Sequence, residues 1–346
     1  MDKIIKKIIN DALWAPTADN MQNWKIDSIQ NSYYLSIDES IEKHPLDPFD
    51  QCMTVSFGMF IECLIISASN YNYSIQYDLI STENKVKFEF IKNDSVIKSD
   101  LINSIKERRT YRGLFTDKSI SDEIKNELLE TNNSYNSKIS FIQNKSPAFL
   151  YYLKRVEKVF FGYFKGIYET LKWVNFDKIN FSKTGMNFEN AGINKFDAVL
   201  LKTMFKYKKM LELLFRIIIK NVLFFKFKAQ LKSNQDYILF SVSKNDDRLA
   251  YFEVGRHAAR CWLKLVKGGV SAQPLTLSSM SGFNLSQPSY SELVGENSDL
   301  FIDGVKVLRK AFDLKEEDLP LWMFRIGYPQ SSVKLNSNRK TIDDLI

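Results

Sequence analysis

The sequence predicts an α+β protein, with helices flanking mainly antiparallel strands, and three observations carry that prediction. Residues 54–69 (TVSFGMFIECLIISAS) are apolar almost all round, and 251–267 read as a second buried helix. Tyr71, Tyr73, Ile75, Tyr77 and Leu79 alternate at period two, as do Val86, Phe88 and Phe90, which predicts a strand pair joined by a polar turn near 81–85. The order helix, Gly or Asn stop, extended segment occurs at 54–80 and again at 251–276, a weak internal repeat that hints at two related halves.

The elements follow in order. A first helix runs through Leu13 and stops at Ala15-Pro16, because the residue before proline avoids helical angles. The loop APTADNMQNW (15–24) comes next. Helix 54–69 ends near Asn70, a candidate left-handed stop. Ser119 or Ser121 can cap a helix with acids in its first turn. Ser146-Pro147 opens another, with Leu150, Leu153, Val156, Phe160, Phe164 and Ile167 along one face. Residues 172–196 read as loop, 199–232 as one or two helices and 237–242 as a strand. Helix 251–267 ends at Gly268-Gly269, VSAQPLT follows, and MFRIGYP (323–329) is a last core strand.

Composition narrows the function. The 346 residues suit about two domains, and 45% hydrophobic with 26% charged residues is enough for a large core. Three cysteines without CxxC spacing, beside only two histidines, argue against a disulfide framework or a zinc site. The charged opening MDKIIKKIIND does not read as a signal peptide, and no eighteen apolar residues run together, so a soluble, cytoplasmic protein is expected. The net charge of +7 is local: residues 202–228 hold eight basic residues and one acidic residue, Glu212. A basic pI of that origin does not argue for nucleic-acid binding over the whole surface.

GxxxxGK[ST], GxGxxG, GxSxG and HExxH are all absent. His44 precedes a proline in a loop, and His257 sits in a buried helix and reads as structural. With acid–base side chains so scarce, a cofactor should carry any reaction. Two segments could hold one. In Arg108-Arg109-Thr110-Tyr111-Arg112, a helical turn would place Arg108 and Arg112 on one face beside the Thr110 hydroxyl, matching phosphate oxygens; a solvated basic turn is the competing reading. In 15–24, small residues let backbone approach a ligand, and Asn20 and Gln22 offer amides to a heteroaromatic edge; an ordinary loop anchored by Trp24 competes.

Together these segments resemble the nitroreductase superfamily of FMN-dependent oxidoreductases. ALWAPTADNMQNW is similar to its A-x-x-APS-x-x-NxQPW segment and IKERRTYRGLF to its RRSxR phosphate segment. GRHAARCWLKLVKGGVSAQPLT is similar to its late helix and the turn after it. MFRIGYP with Arg339-Lys340 resembles its closing strand and basic tail. APT stands where the family has APS, QNW where it has QPW, and Arg260 replaces the late-helix Gln. The loop precedes the arginines, unlike the order in ordinary members, which resembles the longer, Acg-like subgroup of two fused halves.

That resemblance implies a nitroreductase-like fold of two fused halves forming a pseudo-dimer: 1–100 supplying the flavin-ring loop, and 101–346 the phosphate site with a lid at about 145–235. One FMN would be bound by Pro16, Thr17, Ala18, Asn20, Gln22, Arg108, Arg109, Thr110, Arg112, Gln273, Pro274, Leu275, Gly327 and Arg339, with Ser271 and Ala272 also near the ring. NADH or NADPH would deliver hydride to flavin N5, and a small organic acceptor of nitro, quinone or enone type would take the electrons, with no catalytic side chain and no metal. The alternative is a non-catalytic FMN-storage protein with its lid closed. The chain would be a monomer or a homodimer. The basic stretch 202–228 is read as a solvated lid helix, a weak membrane-surface contact, or, least favoured, a nucleic-acid contact.

Overall fold

The computed structural model describes residues 2–142, 145–177, 182–243, 248–280, 297–331 and 337–345. Two four-stranded antiparallel sheets divide these residues between them, one built before residue 100 and one after it.

Helix α1 (Lys3–Ala12) is started by Asp2, whose carboxylate accepts from the Ile4 amide at 2.6 Å, and buries Ile8, Ile9 and Ala12. Strands β1 (Trp24–Ile29) and β2 (Ser32–Ile37) form a hairpin turned through a left-handed Gln30. Helix α2 (Gln51–Ser69) leads to β3 (Tyr73–Ile80) and β4 (Lys85–Lys92), and the first sheet has the order β1-β2-β4-β3. Asn70 is not left-handed, with φ −75°; the reversal falls on Asn72, at φ 59°.

Helices α3 (Ile102–Glu107) and α4 (Asp122–Leu129) open the second half, α4 capped by Ser121 as expected. Strand β5 (Lys138–Phe141) follows. The helix opened by Ser146 is two helices, α5 (Pro147–Gly162) and α6 (Phe164–Lys172): Tyr163, at ψ 87°, breaks the ladder, so Phe164 and Ile167 belong to the second. The expected loop at 172–196 holds a two-residue parallel pair, β6 (Val174–Asn175) with β7 (Met186–Asn187), and its residues 178–181 lie outside those described. Helices α7 (Lys195–Phe205), α8 (Lys208–Leu214) and α9 (Lys220–Gln230) follow, with a π turn over Phe215–Ile219 joining the last two. Strand β8 (Asp236–Ser243), helix α10 (Arg248–Lys267), β9 (Ser271–Pro274), α11 (Leu277–Met280), α12 (Ser298–Phe312) and β10 (Asp318–Gly327) complete the half, with sheet order β5-β8-β10-β9.

Helices α2 and α10 pack at the centre, and one buried apolar cluster runs through them and both sheets. They meet backbone to backbone at two glycines. A Cβ on Gly58 would lie 2.0 Å from the Phe252 carbonyl oxygen, and one on Gly255 would lie 2.1 Å from that of Val55. Helix α2 is long and apolar enough to cross a bilayer, yet 89% of it is buried inside the protein. Its charged residue Glu62 is fully buried and satisfied. One carboxylate oxygen accepts from Arg260 Nε at 2.7 Å and Tyr135 Oη at 2.7 Å, the other from Arg256 at 3.3 Å. His257 is fully buried beside this network, between Thr131 (2.6 Å) and Ser137 (2.9 Å), and burial pushes its pKa down to about 4, so it is neutral.

Candidate functional site

The loop after α1 is held in a conformation its residues do not prefer. Asp19, Asn20 and Gln22 all have positive φ (49°, 56° and 49°) although none is glycine. Three sets of bonds fix it. Thr17 Oγ1 accepts from the Gln22 amide at 3.1 Å. Asn20 Nδ2 donates to the carbonyls of Gly185 (2.7 Å) and Asn338 (3.0 Å). Gln22 donates to Lys183 O at 2.7 Å and accepts from the Lys340 amide at 2.8 Å. The loop, the 183–185 segment and the C-terminal tail are therefore one unit.

The arginine segment is not helical. Helix α3 ends at Glu107, Arg108 has ψ 131°, and Thr110 pairs in parallel with Ala272 of β9, Tyr111 N donating to Ala272 O at 3.0 Å. The expected shared helical face is replaced by an extended one, on which alternate residues point the same way. Arg108, Thr110 and Arg112 still converge, together with Arg109, Asn20 and Arg339, on a small cavity of about 80 Å³.

Among the described residues Asp19 is the one carboxylate on that cavity's wall, and it makes no salt bridge with Arg108, Arg112 or Arg339. Arg108 is buried over the Trp262 ring at 4.5 Å, and burial and neighbouring Arg109 pull its pKa down to about 10. Arg339 lies 5.5 Å from the Trp14 ring, and burial, Arg108 and Arg109 bring it down to about 9. Burial also lowers Arg112, against the pull of Asp19. Among the described residues Arg108, Arg112 and Arg339 make no salt bridge; they donate to the carbonyls of Trp14, Asn190 and Asn338 at 3.1–3.5 Å or, for Arg112, 2.7 Å. Arg339 Nε and Asn20 Oδ1 are buried there with no hydrogen-bond partner.

A second cavity, of about 650 Å³, shares the wall formed by Pro16, Thr17, Asp19, Thr110, Arg112 and Met186. Its floor includes Trp262, Gln273, Pro274 and Leu275, its roof Phe160, Phe161, Ile219, Leu223 and Phe227 from α5, the π turn and α9. Roof and arginine segment are tied by Gln230, which donates to Arg112 O at 2.5 Å. Among the titratable groups facing the chamber are Glu157, Asp47 and His44, and burial pushes the Asp47 carboxyl up to about 6. Burial pushes the Glu157 carboxyl up to about 7, against the pull of Arg325. His44, lowered by burial, accepts from the Leu46 amide at Nδ1 (3.2 Å), which leaves Nε2–H toward Thr170 Oγ1 at 3.4 Å and Asp19 at 3.7 Å.

Of the sequence-derived site residues, Pro16, Thr17, Ala18, Thr110, Arg112, Gln273, Pro274 and Leu275 line the large chamber, and Asn20, Arg108, Arg109 and Arg339 the small one. Gln22 and Gly327 line neither; Gly327 is packed so that a Cβ would lie 2.6 Å from the Phe115 ring. Ser271 and Ala272 are likewise outside both, spent in the β9–β10 pairing. Sequence reasoning passed over Arg325. Fully buried in β10, it donates to Gln273 (2.7 Å), Gln235 (2.9 Å) and Gly113 O (2.7 Å), fixing the arginine segment against the sheet. Its signal was a lone charge in the apolar run LWMFRIG. No group of His, Cys, Asp and Glu among the described residues is placed to hold a metal ion.

No family model and no curated protein matches the chain. Solved structures of nitroreductases do. An FMN-dependent nitroreductase from Clostridium difficile R20291 is 16% identical, with 70% of this chain and 95% of that one covered and a TM-score of 0.35. A nitroreductase with bound FMN from Bacteroides fragilis NCTC 9343 is 9% identical, with coverage of 70% and 96% and a TM-score of 0.37. A mutant FMN- and NADPH-dependent nitroreductase from Sphigopyxis sp. strain HMH is 12% identical, with coverage of 72% and 98% and a TM-score of 0.37.

Proposed function

We propose that this chain is an FMN-dependent oxidoreductase of the nitroreductase type, with one flavin held between residues 1–100 and 101–346 of a single polypeptide. The observation that carries the reading is the cluster of Arg108, Arg112 and Arg339, which form no salt bridge among the described residues and share a wall with a largely apolar chamber. Burying several guanidinium groups together is unfavourable unless an anion neutralises them. The adjoining volume falls within the range of small-molecule sites. An anionic head joined to a flat apolar body suits both parts, as do the motifs that resemble the superfamily's loop and phosphate segments.

Arg108, Arg112 and Arg339 would hold the phosphate, and the orphaned Arg339 Nε is a donor of the kind it needs. Pro16, Thr17 and Ala18 on one side and Gln273, Pro274 and Leu275 on the other would flank the ring. When bound, the flavin supplies hydride acceptance at N5 from NADH or NADPH and electron delivery to a nitro, quinone or enone acceptor. The protein's own part is to orient the ring, exclude water with the roof, and supply protons. Glu157, titrating near neutrality inside the chamber, can hand one to an acceptor.

The second reading is a flavin-storage protein, and one experiment separates the two. The protein as isolated should be yellow, with FMN identified by mass; anaerobic NADPH should bleach it promptly, and persistence of colour at high NADPH supports storage. The Arg108→Ala, Arg112→Ala double variant should be colourless. Full flavin content in that variant would refute the phosphate assignment.

A further inference from the structure

The outer face of the roof concentrates exposed apolar side chains. Met210, Leu213, Ile217, Ile218, Val222 and Phe225 are exposed in one segment, Leu213, Ile217 and Phe225 at 58–66%. They form one stripe because of the π turn. In a regular helix each residue advances about 100°, so Val222 would stand about 120° round from Met210. The turn over Phe215–Ile219 takes up one extra residue and cancels most of that drift. The inner face shows the same phase, since Leu211, Phe215, Ile219, Leu223 and Phe227 recur every four residues and all point inward.

Charge frames the stripe. Lys206, Lys208 and Lys209 are exposed at its N-terminal end and Lys226 near its far end, with Arg216 and Lys220 between. Lys226 and Arg216 have acidic neighbours in Asp197 and Glu212, whereas Lys206, Lys209 and Lys220 make no salt bridge among the described residues. A second copy of the chain is a poor occupant, because a two-fold interface would set these lysines against themselves. Nucleic acid is a poor one too, because the centre of the face is aliphatic and offers phosphates nothing.

We propose that this face rests on an anionic lipid surface, its apolar stripe in the acyl–headgroup boundary and its lysines among the headgroups. An apolar stripe within a basic rim has the complementarity such an interface needs. The opposite side of the same helical segment roofs the chamber through Ile219, Leu223 and Phe227. The docking surface and the chamber are thus separated by one helix thickness. The proposal is independent of the flavin assignment, and its test does not use enzyme activity.

The test is co-sedimentation of the purified full chain with vesicles of phosphatidylcholine alone and of equimolar phosphatidylcholine and phosphatidylglycerol, across a salt series. Binding to the anionic vesicles that is weakened but not abolished by salt is expected, with little binding to the neutral ones. Lys206→Gln with Lys209→Gln should lower the affinity by about fivefold per charge. Leu213→Ser, Ile217→Ser and Phe225→Ser together should lower it at least tenfold at unchanged far-ultraviolet circular dichroism. Equal binding to both vesicles, or none to either, overturns the proposal. So does full retention of binding by the serine variant, which would mean simple charge adsorption. A dimeric wild type that the serine variant converts to monomer, without vesicle binding, overturns it in favour of self-association.

Discussion

Two clusters of largely buried arginine lie among the described residues, and they are opposites. Between α2 and α10, Arg256 and Arg260 close on Glu62, with Tyr135 completing the carboxylate's bonds. At the small cavity, Arg108, Arg112 and Arg339 donate only to backbone carbonyls; burial and neighbouring arginines lower Arg108 and Arg339, and burial lowers Arg112 against the pull of Asp19, whereas Arg256 and Arg260 are raised by Glu62 despite burial. The difference teaches which charges the fold has satisfied by itself and which it has left for something else. Residue type does not distinguish the clusters; a carboxylate within ion-pair distance does.

That contrast can be broken at four points. The largest effect is expected at Glu62→Gln, which leaves Arg260 without a carboxylate and Arg256 with Glu253 alone, and should cost toward the lower end of about 3–5 kcal/mol in urea unfolding. Next is the pH profile of the same region. His257 has a folded pKa of about 4 against an ordinary 6.5, so the folded state resists its protonation. Stability should be full above pH 6.5 and fall by about 3 kcal/mol as pH drops to 4, a slope a charged His257 would not give. At the other cluster, adding FMN at a hundredfold excess over its Kd should stabilise by about 2.7 kcal/mol in calorimetry, and inorganic phosphate by less; neither should rescue Glu62→Gln beyond that same increment. The smallest effect has the opposite sign. Arg339→Met should leave the ligand-free protein as stable or more stable, by about 1 kcal/mol, because it removes an unpaired buried charge. A loss of several kcal/mol there would mean that Arg339 is structurally paired after all.

Much of this arrangement was readable from residues. Helix α2 announces itself because it is apolar nearly all round, α10 through its apolar run ended by Gly268-Gly269, and both ends carry Asn or glycine signals. The β3–β4 pair announces itself through strict alternation. The hairpin of β1 and β2 does not, because its turn residues Gln30 and Asn31 lack the glycine that marks such turns. The break between α5 and α6 is invisible for a related reason: Tyr163 is no helix breaker, and tertiary packing alone sets its ψ. The site was legible as a set of segments and illegible as geometry. Arg108 and Arg112 do share a face, but on an extended segment held through Thr110 by Ala272, a partner 162 residues away in the chain. Asn20 and Gln22 are amides of the right kind whose donors are occupied by backbone carbonyls from 183–185 and 338, contacts that no local pattern encodes.

The wide turn over Phe215–Ile219 has a consequence for how this chain can change in length. It stores one surplus residue, so a single deletion inside it should let the helix relax to ordinary pitch while every downstream side chain keeps its heading. The same deletion in the middle of α9 would swing the remainder by about 100° and trade the wet side for the roofed one. Tolerance to shortening should therefore be confined to one turn of a long helix, a pattern that a scan of single-residue deletions across 208–230 would display directly.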